Sequence, residues 1–303
     1  MTLLDKAIVR MLPVVPKPVV QRFSSHYIAG STLQEAVAVV RGLNEGGEVA
    51  TIDVLGEEVT CESEARAIAQ AYRDVLIAIE REHLDSTVSI KPTALGLNLS
   101  YDLCREIVES VLREAAAYGN FVRIDMEDSS TTSNTLRLYR ELRENGFDNV
   151  GFVLQAYLRR TVDDVRALAD LKPNVRLCKG IYVEPQAIAF TGYDEVRENY
   201  MRALDALLES GAYVGIATHD EWLIGEALQL VAGMQPSEYE FQMLLGVRGK
   251  RAGELVAAGH RMRIYVPFGE MWYEYSLRRL QENPAMAGTI ARATVGRVLG
   301  RAT

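Results

Sequence analysis

Eight short stretches of this chain alternate between apolar and polar side chains, and a helical pattern follows each of them. They are Ala50–Val54, Thr87–Lys91, Phe121–Asp125, Phe152–Gln155, Val175–Leu177, Val214–His219, Glu240–Met243 and Arg263–Val266. Because successive side chains of a β-strand point to opposite faces, each stretch predicts a strand with one apolar and one polar face.

The polar faces predict the architecture. A parallel strand that is covered by helices on both sides is apolar on both faces, so a polar face must line something other than a helix layer. A closed barrel has such an interior, and the repeated alternation predicts an α/β fold, a (β/α)8 TIM-type barrel. Charged residues are unusually frequent on the predicted inner face: Asp53, Lys91, Arg123, Asp125, Arg176, Glu240 and Arg263. Unpaired buried charges are costly, so we expect these to pair with one another or with a ligand.

The length of 303 residues fits one barrel with a short addition before it. A barrel of this kind needs about 250 residues. We therefore predict a helical extension over residues 1–45 and a catalytic barrel over residues 46–303. Within the extension, short amphipathic helices are predicted at Thr2–Met11, Val19–Tyr27 and Leu33–Leu43, and they are expected to cap the barrel.

Composition excludes several classes of protein. A hydrophobic content of 48% with 24% charged residues is typical of a globular chain, and the net charge of −8 argues against a nucleic-acid partner. Cys61, Cys104 and Cys178 lack the spacing of a redox or metal motif, which indicates a reducing compartment. No stretch approaches the length of an apolar span. We expect a cytoplasmic protein with at most peripheral contact at the inner face of the membrane.

The motifs of two common kinds of site are missing from the sequence. The four histidines are scattered without H-x-H or H-E-x-x-H spacing, so no metal site is expected. No G-x-G-x-x-G follows a predicted strand, so a Rossmann-type cofactor site has no support.

Polar residues at the predicted strand ends are the candidates for chemistry, because active sites of this fold lie at the carboxyl ends of the strands. They are Lys91, Asp125 with Glu127 and Asp128, Gln155, Arg176 with Lys179, Thr218 to Asp220, and Tyr265. A last helix is predicted from Gly269, and it carries the adjacent pair Arg278 and Arg279. On spacing alone, this pair serves equally well to bind a ligand or to complement the helix dipole.

Eight motifs in this order resemble those of the proline dehydrogenases. They are Ser89–Gly96, Arg123–Ser129, Leu154–Tyr157, Arg176–Tyr182, Ala217–His219, Glu240–Leu244, Ile264–Pro267 and Tyr275–Asn283. The match extends from Asp53 to about Pro284, and eight collinear motifs make it highly specific. The chain resembles the monofunctional bacterial type, since no segment is left for the DNA-binding or aldehyde dehydrogenase modules of the bifunctional relatives.

The resemblance implies a flavoenzyme barrel that holds FAD at its mouth without a Rossmann domain. It implies oxidation of L-proline to Δ1-pyrroline-5-carboxylate by hydride transfer to flavin N5, the first step of proline catabolism to glutamate. It also implies a quinone as electron acceptor and a separate pyrroline-5-carboxylate dehydrogenase as a partner.

The resemblance also implies roles for individual residues. Arg176 corresponds to the arginine beside flavin N5, and Asp125 to the family's active-site aspartate. The other cofactor contacts are Met126, Gln155, Lys179, Gly180, Ile181, Thr218 and His219. Substrate contacts are Lys91, Arg278 and Arg279 around the carboxylate, with Tyr182, Leu244, Tyr265 and Tyr275 around the ring. Glu57 corresponds to a gate glutamate that can pair with Arg278.

Strand periodicity adds a condition to these roles. Arg176 and Lys179 are three residues apart, so a regular strand would direct them to opposite faces. Either the strand ends at Cys178, or Lys179 points away from the flavin ring.

Two other functions remain open at this point. A Schiff-base aldolase would use a barrel lysine near a carboxylate, such as Lys91 or Lys179 with Asp125. It leaves Gln155 and the arginine pair without a role. The second alternative is a non-catalytic sensor that binds flavin or an amino acid.

Overall fold

The protein folds into a closed barrel of eight parallel strands, as the sequence predicts. The structure is a computed structural model that describes residues 26–56, 59–273 and 276. The strands are β1 (Val49–Val54), β2 (Ser86–Ile90), β3 (Val122–Ile124), β4 (Val150–Gln155), β5 (Asn174–Cys178), β6 (Tyr213–Ala217), β7 (Tyr239–Leu244) and β8 (Met262–Phe268). Each strand pairs with the next along the chain, and β8 pairs with β1 to close the ring.

Helices connect the strands on the outside. They are α1 (Leu33–Glu45), α2 (Glu62–Arg81), α3 (Tyr101–Ala117), α4 (Ser129–Glu144), α5 (Thr161–Leu168), α6 (Tyr193–Glu209), α7 (Glu221–Leu230) and α8 (Gly249–Ala257). Short 3-10 helices lie at Thr93–Leu95 and Ala169–Leu171. Beyond β8, residues 269–271 form a bend and a turn, so the last helix begins at Trp272 and not at Gly269 as predicted. Trp272, Tyr273 and Ser276 are helical, and Glu274, Tyr275 and the residues after Ser276 lie outside the described residues.

The apolar parity of the strands packs outward under the helices. Ile52, Val88, Ile124 and Phe152 are fully buried there and form one core with helix residues such as Tyr72. Helix α1 begins with a capping box between Thr32 and Glu35 and contributes to the same core. This confirms the strand faces that the alternation predicts.

Most of the charged side chains that face the barrel interior form ion pairs with one another. Lys91 Nζ lies 2.6 Å from Asp53 Oδ1, and Arg176 Nη1 lies 2.7 Å from Asp125 Oδ1. Arg263 Nε lies 2.7 Å from Glu240 Oε1. The expected pairing is therefore confirmed for three pairs.

Arg123 is the exception to the predicted pairing. It donates to the carbonyl oxygens of Phe152 (3.2 Å) and Asn174 (2.7 Å) and to Asn174 Oδ1 (2.6 Å). Within the described part of the chain, no carboxylate oxygen lies within 4.0 Å of it. Gly151 makes this arrangement possible, because a Cβ there would lie 2.5 Å from Arg123 Nη1. Burial lowers the pKa of Arg123 to about 9, and the charge of Arg176 adds to this effect.

The division at residue 45 stays a prediction. Residues 1–25 lie outside the described residues, and the described helix α1 confirms the helix predicted at Leu33–Leu43. In the described ranges, no helix combines the length and the apolar character that a membrane span requires. The same ranges contain no group of three or more His, Cys, Asp and Glu side chains that could hold a metal ion.

Candidate active site

A cavity of about 510 Å³ opens at the carboxyl ends of the strands. Every predicted site residue that the structure describes lines it: Lys91, Asp125, Met126, Gln155, Arg176, Lys179, Gly180, Ile181, Tyr182, Thr218, His219, Leu244 and Tyr265. Glu57, Tyr275, Arg278 and Arg279 lie outside the described residues. Residues from separate strands thus come together where the barrel topology predicts.

Asp125 is the centre of a buried polar network in the wall of this cavity. Its Oδ1 accepts from Arg176 Nη1 at 2.7 Å and from Ser89 Oγ at 2.6 Å. Its Oδ2 accepts from the Tyr265 hydroxyl at 2.8 Å and lies 3.8 Å from Lys91 Nζ. Strand β3 ends one residue earlier, at Ile124, so Asp125 projects from the strand end toward these partners.

The two carboxylates near Lys91 have opposite pKa shifts. Burial alone would raise the pKa of Asp125, but the charges of Arg176 and Lys91 and two hydrogen bonds outweigh it, so this pKa is lowered. Burial raises the pKa of Asp53, and the ammonium of Lys91 only partly offsets that effect. Asp125 is therefore the stable anion of the network.

Arg176 is held on two sides. Its Nε donates to Gln242 Oε1 at 2.6 Å, and its Nη1 donates to Asp125. The guanidinium carbon lies 5.1 Å from the centre of the Tyr265 ring. Its Nη2 is buried and has no hydrogen-bond partner among the described residues.

Within the described residues, Gln155 has an unpaired acceptor, in contrast to the unpaired donor of Arg176. Its Nε2 donates to the carbonyl oxygen of Met126 at 3.2 Å, while its buried Oε1 lacks a partner in the described part of the chain. The hydroxyl of Thr161 donates to the backbone oxygen of Gln155 at 2.6 Å and fixes the end of β4. Among the buried side-chain atoms of the described residues that line the cavity, Arg176 Nη2 is thus an unpaired donor and Gln155 Oε1 an unpaired acceptor. A ligand with both kinds of group would satisfy them.

A second polar cluster lies at one side of the cavity and is centred on Asp220. Lys179 Nζ donates to Asp220 Oδ2 at 3.1 Å, and Arg197 donates to both oxygens at 2.9 and 2.7 Å. The Tyr193 hydroxyl donates at 2.8 Å. These bonds, that of Arg197 first, lower the pKa of Asp220. Strand β5 ends at Cys178, so Lys179 has left the strand, which is the first of the two possibilities given by the periodicity.

The segment after Lys179 is shaped by a close contact. Gly180 has a φ of +102°, and a Cβ there would lie 2.1 Å from Tyr157 Cδ1, so only glycine fits without displacement. Ile181 is 43% exposed, and Tyr182 packs against the cluster that contains Tyr157. The loop thus passes closely over Tyr157 before it reaches the cavity edge.

Hydrogen bonds connect the ends of strands β6 and β7 at the cavity. Leu244 N donates to His219 Nε2 at 3.0 Å, and Thr218 N donates to the carbonyl oxygen of Gln242 at 3.3 Å. Within the segment after β6, Asp220 N donates to Thr218 Oγ1 at 3.1 Å. Met126 is buried in the cavity wall just after the end of β3. These contacts fix the positions of the predicted cofactor residues on rigid strand ends.

Sequence reasoning missed several residues of the site. Tyr193 and Arg197 come from the first turns of α6, far along the chain from β5, and no periodic pattern predicts their place. Gln242 lies on the polar parity of β7, so the alternation predicted that it faces inward but not that it contacts Arg176. Glu127 was a strand-end candidate, and its carboxylate binds Thr93, with Thr93 N donating at 2.9 Å.

Comparison with known proteins identifies the family of this chain. The model of the family described as proline dehydrogenase matches residues 36–292. The chain belongs to the proline dehydrogenase family. It is 41% identical over 268 residues to proline dehydrogenase 1 of Bacillus subtilis (strain 168), covering 88% of each chain. It is 33% identical to the proline dehydrogenase of Deinococcus radiodurans, covering 93% of this chain and 96% of that protein.

A solved structure supports the fold. The barrel matches proline utilization A (PutA) from Bdellovibrio bacteriovorus, inactivated by N-propargylglycine, with a TM-score of 0.79 and 26% identity. The match covers 86% of this chain and 32% of that longer chain.

Members of the proline dehydrogenase family are flavin-dependent in general. The family assignment decides against the Schiff-base aldolase, and the unpaired groups of Arg176 and Gln155 suit a flavin ring, which has both acceptors and a donor on its edge. The residues present therefore fit a flavin.

Proposed function

We propose that this protein oxidises L-proline to Δ1-pyrroline-5-carboxylate with a bound FAD, the first step of proline catabolism. The observation that carries the proposal is the buried network of Lys91, Asp125, Arg176 and Tyr265 in the wall of the cavity at the barrel mouth. Lys91 and Arg176 both approach Asp125 in this network, at 3.8 and 2.7 Å. The ammonium of Lys91 would suit a substrate carboxylate, and the guanidinium of Arg176 would suit a flavin.

The protein's own residues would bind and orient the substrate. Lys91 would attract the proline carboxylate, with Arg278 and Arg279 as its predicted partners. Tyr265, Tyr182 and Leu244 would pack around the ring and limit its size. FAD, when bound, supplies the hydride acceptor. Asp125 would hold Arg176 and Lys91 in place, and Arg176 would stabilise negative charge on the flavin.

FAD rather than a shorter flavin is supported by the cluster around Asp220. Lys179 lines the cavity together with Tyr193, which is 59% exposed, and Arg197 pairs with Asp220 next to them. The Lys179 ammonium lies 4.9 Å and the Arg197 guanidinium 4.2 Å from the centre of the Tyr193 ring. Cations next to an exposed aromatic ring suit a diphosphate that is followed by an adenine.

A quinone as electron acceptor and a separate pyrroline-5-carboxylate dehydrogenase belong to the same proposal. Ile181 at the cavity edge and Val183 close to it in sequence are exposed, which offers an apolar approach for a quinone. A cytoplasmic location with peripheral contact at the inner face of the membrane would suit such an acceptor. Transfer of electrons from the proline-reduced protein to quinones, dioxygen or NAD, measured side by side, identifies the acceptor.

Anaerobic titration with proline tests the main proposal. The purified protein should be yellow, and proline should bleach the flavin absorbance. Acid denaturation should release the flavin as free FAD. A protein that keeps its colour with proline would be the non-catalytic sensor, and a flavin that stays on the denatured chain would contradict noncovalent binding.

A substitution pair locates the substrate site. Lys91→Met should weaken proline binding by about 1.5 to 3 kcal/mol, because a desolvated carboxylate loses a charged partner. Lys250→Met is the matched control, since the Lys250 side chain is 93% exposed on α8. Equal proline affinities of the two variants would remove Lys91 from the substrate site.

A further inference from the structure

A continuous chain of polar contacts passes through the barrel interior from β8 to the cavity. Arg263 Nε donates to Glu240 Oε1 at 2.7 Å, and Gln242 Nε2 donates to the same oxygen at 2.6 Å. Arg176 Nε then donates to Gln242 Oε1 at 2.6 Å, and Arg176 Nη1 donates to Asp125. Gln242 is the one neutral member of this chain.

The amide of Gln242 has only one satisfactory orientation. An arginine side chain can only donate, and the carboxylate of Glu240 can only accept while it is ionised. Burial alone would raise the pKa of Glu240, but the charge and hydrogen bond of Arg263 outweigh it and lower this pKa. A flipped amide would place donor against donor and acceptor against acceptor. The two neighbours therefore fix the amide.

The barrel leaves space for this side chain at one position of the neighbouring strand. Gly215 of β6 pairs with Glu240 of β7 in register. A Cβ on Gly215 would lie 2.3 Å from Gln242 Nε2 and 2.9 Å from its Cδ. Gln242 itself is 4% exposed, so its position is determined by packing as well as by hydrogen bonds.

We infer that Gln242 is a positioning residue for Arg176. A guanidinium held at Nε by Gln242 and at Nη1 by Asp125 has a fixed plane, so the direction of Nη2 is fixed as well. Arg176 Nη2 is buried and has no hydrogen-bond partner among the described residues. The inference rests on the proposed function, in which Arg176 contacts the flavin. Through its hydrogen bond to Arg176, Gln242 would fix the position of the Arg176 charge relative to the flavin.

The test compares Gln242→Met with Thr87→Val. Methionine keeps the approximate volume of glutamine and removes both hydrogen bonds. Thr87 lies in the same interior, where its Oγ1 accepts from Arg263 Nη1 at 3.2 Å, and it has no hydrogen bond to Arg176. Both variants lose interior hydrogen bonds, so thermal unfolding of both should report a loss of stability. Only Gln242→Met should change the midpoint potential of the flavin and its rate of reduction.

The decisive measurements are the two-electron midpoint potential of the bound flavin and its rate of reduction by proline. In Gln242→Met the equilibrium for reduction should fall about tenfold, which is about 30 mV toward more negative potential. The rate constant should fall by a similar factor, about tenfold, while the proline dissociation constant changes by less than about threefold.

Three outcomes overturn the inference. A potential and rate constant in Gln242→Met equal to those in Thr87→Val would mean that Gln242 only packs. A loss of proline affinity without a change in potential would place it in the substrate site instead. If the unaltered holoenzyme is not reduced by proline, the proposed function fails, and the inference fails with it.

Discussion

Replacing Asp125 with asparagine should remove the charge at the centre of the site while keeping the shape of the side chain. Asp125 accepts hydrogen bonds from Arg176, Ser89 and Tyr265, and Lys91 lies 3.8 Å away. Asparagine has one acceptor oxygen, and its NH2 group would face one of these donors. Arg176 would then have no carboxylate within 4.0 Å in the described part of the chain.

The magnitude follows from burial. The side chains of Asp125 and Arg176 are 13% and 8% exposed, so the remaining cation would be nearly desolvated. Removing one partner of a buried ion pair costs roughly 3 to 5 kcal/mol, because the other charge is left without compensation. The slight exposure of Asp125 admits some solvent, so we expect a loss near the lower end, about 3 kcal/mol.

Urea unfolding at neutral pH measures this loss. Asp170→Asn is the matched control, because Asp170 pairs with Arg140 at 3.0 Å but its side chain is 61% exposed. An exposed pair contributes about 0 to 1 kcal/mol, so the control should change little. If the two variants lose the same free energy of unfolding, the network around Asp125 does not stabilise the barrel as described.

Three further predictions concern the pocket, the barrel interior and acid stability. Tyr265→Ser should narrow the preference for proline over 4-hydroxyproline, which is about 10- to 100-fold if Tyr265 closes the pocket; equal catalytic efficiencies of the unaltered enzyme on both substrates would contradict this. Gly151→Ala should lower the free energy of unfolding by about 1 to 3 kcal/mol, because the added Cβ would collide with Arg123 Nη1. Gly42→Ala, on an open face of α1, should raise it by about 0.5 to 1 kcal/mol. Urea unfolding measures both changes. Folding lowers the pKa of Glu240, so the stability that its ionised form contributes is complete above the pKa of the unfolded state, about 4.3, and is lost as the pH falls. In Glu240→Gln, the slope of the free energy of unfolding against pH below about pH 4.3 should therefore decrease by at most about 1.4 kcal/mol per pH unit. An unchanged slope would contradict the lowered pKa.

The sequence predicted the strands well because each one is short and alternates cleanly. The predicted strand at Ala50–Val54 corresponds to Val49–Val54, and the one at Thr87–Lys91 to Ser86–Ile90. Lys91 lies just past its strand, which is why it reaches Asp53 and the cavity. Strand order and closure followed from the repeated strand and helix pattern.

Other parts of the site could not be predicted from periodicity. Tyr193 and Arg197 meet Asp220 across two different connections of the barrel, and their sequence separation carries no signal of that contact. Arg123 was expected to find a carboxylate, but it binds backbone carbonyls because Gly151 leaves room for its side chain. Contacts of this kind depend on the space between elements, which a single strand pattern does not contain.

The polar interior of the barrel explains both why its strands are easy to recognise in the sequence and how its site is held in place. An ordinary barrel fills its interior with branched apolar residues, so its strands would be apolar on both faces and hard to orient from sequence. Here the interior holds Glu240, Gln242, Arg176 and Asp125 in contact, and these polar residues mark the inner parity. A buried polar chain of this kind stabilises the fold only if its members are paired, and the pairing also fixes the direction of the groups at the cavity. The charges that reveal the barrel in the sequence are therefore the charges that orient its site.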